Sequence, residues 1–70
     1  MTAIWSRFAP GKYDLYRGEK LVAYVQRCFE HRYWLAHVRS PSGYFLSLNR
    51  TFPTMTAAKK AAMAALRSKE

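Results

Sequence analysis

Cysteine is nearly absent from this chain. Cys28 stands alone among 70 residues, so neither an intrachain disulfide nor a cysteine-based zinc knuckle can be built. A lone thiol of this kind behaves as a small hydrophobe on a strand, and it fits a chain made in a reducing cytosol or nucleus. Carboxylates are almost as scarce: Asp14, Glu19, Glu30 and Glu70 face twelve Lys and Arg, for a formal charge of +8. The two histidines, His31 and His37, lie among arginines. A Cys28–His31 or Cys28–His37 nucleophile pair would lack an orienting third group and a pocket. No enzyme, cofactor or metal site is therefore expected. Long hydrophobic runs are missing too. Nothing approaches the roughly 20 apolar residues of a membrane span, and Arg7, Lys12 and Asp14 interrupt any secretory h-region. Met1 and the charged end Ser68-Lys69-Glu70 read as the bounds of a complete small gene product.

What is present is apolar and basic. Half the residues are hydrophobic, which is too many for a solvated polyelectrolyte and argues for one small folded domain. Residues 1–20, punctuated by Pro10-Gly11, read as an irregular N-terminal segment. Trp5 and Phe8 are too apolar for a loose tail and are expected to fold back onto the body. The folded domain is expected over residues 21–70. Leu21 to Phe29 is rich in β-branched and aromatic residues and predicts a strand. A reversal at Glu30-His31 or His31-Arg32 leads into a second strand, Arg32 to Arg39. Ser40-Pro41-Ser42-Gly43 is a strong turn, because proline presets φ and glycine accepts the left-handed conformation. Tyr44 to Asn49 is the third strand.

The period then changes. Thr54 or Thr56 can cap a helix after Pro53. Ala58, Ala61, Ala62, Ala65 and Leu66 fall on one helical face. Alanine there lets the helix approach a sheet closely. The expected fold is α+β: a three-stranded antiparallel meander packed on one C-terminal α-helix, in the order βββα.

Strand parity sorts the side chains. Trp34, Ala36 and Val38 should meet the helix, as should Tyr44, Leu46 and Leu48, with Ala23 and Val25 from the first strand. That leaves Val22, Tyr24, Gln26, Tyr33, Leu35, His37, Arg39, Phe45, Ser47 and Asn49 on an open face, with a bulge able to reverse the tail of the first strand. Arg17, Arg27, Arg32 and Arg50 border that face, and Lys59 and Lys60 lie on the helix. Arginine forks suit guanine edges and phosphates, and aromatics set among arginines can stack on bases. The competing expectation is that Trp5, Phe8 and their neighbours cover this face.

The motifs Tyr16-Arg17-Gly18, Trp34 to Arg39, Pro41-Ser42-Gly43 and Phe52-Pro53-Thr54, followed by an alanine-rich helix, occur in a familiar order. Over roughly residues 16–66 the chain resembles the ethylene-response-factor (APETALA-type) DNA-binding domain, which is similar to phage-integrase arm-binding domains. The resemblance implies strands lying in the major groove, with Arg17 and Arg39 in the positions of the family's arginines. His37 replaces the family's acidic residue before the second arginine. Ala57 to Leu66 is also similar to the closing helix of double-stranded-RNA-binding domains.

The expected function is a small basic nucleic-acid-binding protein of regulatory or phage type. Its expected ligand is duplex DNA, with RNA as an alternative, met through Arg17, Gln26, Arg27, Arg32, Tyr33, His37, Arg39, Phe45, Asn49, Arg50, Lys59 and Lys60. The rival expectation is a phage-type inhibitor or adaptor that binds a protein partner, with Tyr33, Leu35 and Phe45 as anchors. A cytoplasmic, nucleoid or nuclear location goes with either.

Overall fold

Two glycines in left-handed backbone conformation, Gly11 (φ 80°) and Gly18 (φ 67°), turn the N-terminal residues into strands. The computed structural model describes residues 3–28, 30 and 32–68. Pro10-Gly11 closes a hairpin between β1 (Ala3–Ala9) and β2 (Lys12–Arg17). Gly18-Glu19 closes the next, between β2 and β3 (Lys20–Cys28). Gly18 takes its positive φ at the first loop residue, which gives that turn a twist matching the strands. Gly11 takes its positive φ at the second, after Pro10 has preset the first, and glycine adopts either without a Cβ clash. β4 (Tyr33–Arg39) and β5 (Phe45–Ser47) complete one antiparallel sheet of order β1-β2-β3-β4-β5, and α1 (Met55–Ser68) ends the fold.

This corrects the expectation of a three-stranded sheet preceded by an irregular segment. The sheet has five strands, and residues 3–17 supply two of them. The alternation was present, with Ala3 and Trp5 packed on the core while Ile4 and Phe8 stay exposed. It is broken at Phe8, where the register shifts between Arg7 and Ala9. A bulge of this kind interrupts the period of two by which a strand is recognised. The reversal between β3 and β4 contains His31, which lies outside the described residues, as does Phe29; Glu30 and Arg32 are turn residues there.

Ser40-Pro41-Ser42-Gly43 turns as its residues predict. The Gly43 amide donates to the Ser40 carbonyl at 2.9 Å, and Gly43 has φ 94°. The third expected strand is shorter than Tyr44 to Asn49. It pairs only over Phe45–Ser47, then Asn49 takes φ 55°, and pairing with β4 resumes at an isolated bridge between Trp34 and Phe52. Asn tolerates the left-handed region better than most residues.

The core forms where α1 crosses β3 and β4. Leu15, Val25 and Val38 are fully buried, with Ala23, Ala36, Ala58 and Ala62 against them. Thr54 caps the helix: its Oγ1 accepts from the Ala57 amide at 3.1 Å. Ala58 and Ala62 have no exposed surface, so the helix axis can lie close to the sheet. Val22 was expected outward. A second bulge, opposite Leu15 and Tyr16, turns Val22 inward beside Ala23. Leu48 reaches the core, but Tyr44 and Leu46 are exposed; the helix packs on β3 and β4.

Candidate functional site

Paired residues in neighbouring strands share a face, so register alone defines the uncovered side of the sheet. One transverse row crosses all five strands: Ser6, Asp14, Tyr24, His37 and Ser47. Flanking it on the same side are Ile4, Phe8, Lys12, Gln26, Leu35, Tyr33 and Phe45. Neither α1 nor any other described element covers this side. Trp5 and Phe8 do not fold over it; they belong to β1, which widens the sheet, and Phe8 is 68% exposed.

The middle of the row is aromatic. The Tyr24 and His37 rings stack at 4.6 Å between centroids and 5° between planes, and Phe45 meets Tyr24 edge-on at 5.3 Å. Lys12 sits beside them. Its Nζ lies 4.3 Å from the Phe8 centroid, 4.9 Å from that of Tyr24 and 3.6 Å from Asp14 Oδ1. A cation over two rings and beside a carboxylate is held electrostatically on three sides.

Asp14 is only 3% exposed, although it is charged and lies on the uncovered face. Its Oδ1 has no hydrogen-bond partner, and the buried His37 Nδ1 has none either. Lys12 supplies Asp14 with charge at a distance slightly beyond a hydrogen bond. Burial pushes the His37 pKa below its ordinary value, because the ring is removed from the water that would solvate its cation. His37 is therefore a neutral ring at physiological pH, suited to stacking.

The expected site residues divide between the two sides. Gln26, Tyr33, His37 and Phe45 share the uncovered face. Arg39 is in outward register with Phe45, but its guanidinium curls to the sheet end, where a Cβ on Gly43 would lie 3.6 Å from it. Arg17 pairs with Lys20, and Arg27 with Trp34, on the helix side. Lys59 lies over Trp5 at 5.1 Å and Tyr13 at 4.5 Å, also on the helix side, while Lys60 is exposed on α1. Arg50 lies 5.3 Å from the Phe52 ring, and Asn49 and Arg32 occupy exposed turns. Most of the positive charge is thus away from the aromatic face, where Lys12 stands against Asp14.

Lys12 and Asp14 were not among the expected site residues. The signal for them was incomplete: Pro10-Gly11 marks a turn, and only the pairing of β2 with β3 sets Asp14 opposite Tyr24. Among the described residues, no cluster of His, Cys, Asp or Glu could hold a metal ion. Among the same residues no helix is long and apolar enough to cross a membrane. Comparisons with protein-family models, with curated proteins and with solved structures return no match.

Proposed function

We propose that this chain is a small basic nucleic-acid-binding protein that engages bases through the uncovered face of its sheet. The observation that carries the reading is the cluster of Tyr24, His37 and Phe45 on a sheet face that no described element covers. Aromatic platforms on open sheets stack bases at about 1–3 kcal/mol each, and the +8 charge adds affinity through counterion release.

Duplex DNA, the ligand expected from the sequence, meets this face less readily than a single strand does. Five strands span about 19 Å across the sheet, whereas the major groove is about 12 Å wide. Splayed bases of a single strand fit a broad platform. A duplex would have to meet the β5 edge, where Phe45 and the Ser40–Gly43 turn project. The lone Cys28 and the charge fit a cytoplasmic or nucleoid location.

Fluorescence anisotropy with labelled single-stranded DNA, duplex DNA and duplex RNA across a salt series tests the reading. The expected result is tightest binding to single strand near physiological salt, weakened by Tyr24→Ala and Phe45→Ala. Equal, weak binding to all three that vanishes with salt would overturn it.

A second reading rests on a different observation. Ile4 is 65% exposed and, with Phe8, puts two large apolar side chains on the β1 side of the same face. Such a face also suits a protein partner. A partner complex that resists added salt while nucleic-acid binding collapses would favour this reading.

A further inference from the structure

At the sheet end formed by the β2–β3 turn, four cations surround one apolar wall. A cavity of about 150 Å³ is lined by Arg17, Lys20, Arg39 and Ser40 with Val22, Pro41 and Leu66. A second, of about 210 Å³, is lined by Arg17 and Arg67 with Ala3, Leu15, Met63 and Leu66. The two share Arg17 and Leu66, so they form one groove that runs from the β4 end, past the turn, to the last turn of α1. No Asp or Glu among the described residues lines either part.

Chain pairing explains how the cations meet. Arg17 and Lys20 are opposed across the two-residue Gly18-Glu19 turn, on the helix side. Arg39 ends β4 beside them, and Arg67 lies in the final helical turn. Arg67 there is favoured by the partial negative charge of the helix C-terminus. Lys20 and Arg39 line the same wall beyond the reach of that dipole, where like charges raise each other's energy. An anion in the groove relieves this repulsion.

We propose that this groove binds phosphate groups. Each part falls below the roughly 300 Å³ that encloses a drug-sized ligand, yet is several times the ~30 Å³ share of a water molecule. A phosphate fits where a nucleoside does not. Two guanidinium forks offer paired donors to phosphoryl oxygens, and Lys20 adds a point charge. Ser40 Oγ accepts from the Tyr44 amide at 3.2 Å, leaving its own proton to donate to the ligand. The two linked parts suit adjacent phosphates, as in a nucleic-acid backbone or a small polyphosphorylated molecule. The site lies apart from the aromatic face, and its existence does not depend on what that face binds.

The test is an NMR titration of the intact chain with inorganic pyrophosphate at constant ionic strength. Saturable shifts at the amides of residues 17, 20, 39–40 and 66–67 are expected. Lys20→Ala with Arg39→Ala should weaken this binding at least about tenfold, since each removes a charge-assisted contact. Arg7→Ala, an exposed cation of β1 that lines neither part, should leave it unchanged, and thermal melts check that all variants fold. Shifts scattered over every basic residue, or unaltered by the double substitution, would overturn the site. The same variants assign the source of phosphate with single-stranded DNA. A salt-dependence slope reduced by about 1.4, for two lost phosphate contacts at about 0.7 each, supports the groove as a seat for a nucleic-acid backbone. An unchanged slope with pyrophosphate binding lost supports it as the seat of a small phosphorylated molecule.

Discussion

The Tyr24 and His37 rings face each other across the β3–β4 pair at 4.6 Å, 5° from parallel, with the buried Asp14 on the other side of Tyr24 in the same row. The stack keeps the imidazole out of water at one face, and His37 Nδ1 is buried without a hydrogen-bond partner. The proposed base stacking and a pH response therefore meet at one residue.

The pH response has a definite sign. The His37 pKa is lowered by burial from 6.5, so the unfolded chain takes up this proton at a higher pH than the folded chain does. Stability is fully present above about pH 6.5 and falls as pH drops from there toward the folded value. Urea unfolding at about pH 7.5 and pH 5 should show a lower midpoint in acid, and His37→Phe should shrink the difference. Equal differences in both proteins would show that His37 does not carry the effect.

Leu15→Ala separates the observed fold from the one expected of the sequence. Leu15 is fully buried from β2, so its truncation should cost about 2–5 kcal/mol. If residues 1–20 were an irregular segment, the same change would be nearly neutral. Chemical denaturation gives the answer directly.

Helix packing is tested by adding volume rather than removing it. Ala62 has no exposed surface, and Ala62→Leu should cost about 1–3 kcal/mol by overpacking. Ala64 is exposed on the same helix, and Ala64→Leu should shift the unfolding midpoint little. Similar effects at both positions would contradict the close approach of α1 to the sheet.

Thr54→Ala removes the hydroxyl that accepts from the Ala57 amide. A loss of about 1 kcal/mol is expected. Thr56→Ala, inside the first turn of α1, should have a smaller effect. Thermal melts of the two variants would rank them.

Local chemistry made part of this molecule legible. Pro41 and Gly43 specify their turn, Thr54 and the alanine period specify the helix and its buried face, and parity places Ala36 and Val38 inward. Each of these depends on residues within a few positions of one another. The β1–β2 hairpin was obscured because Phe8 breaks its period, and because Pro10-Gly11 marks a turn without identifying the strands it joins. The inward rotation of Val22 depends on an extra residue opposite β2, which only the pairing register reveals.

By itself the sequence determined an α+β chain with a strongly basic surface, an alanine-faced C-terminal helix and strands that alternate aromatic with small residues. Tertiary structure decided where the charge and the aromatics went. Antiparallel pairing carried Ser6, Asp14, Tyr24, His37 and Ser47 into one row, and brought Arg17 and Lys20 together on the other face, beside Arg39 and Arg67. Hydrogen-bonded register joins residues far apart in the chain, and a single bulge reverses which side each one faces. Composition and local period carry no record of that choice.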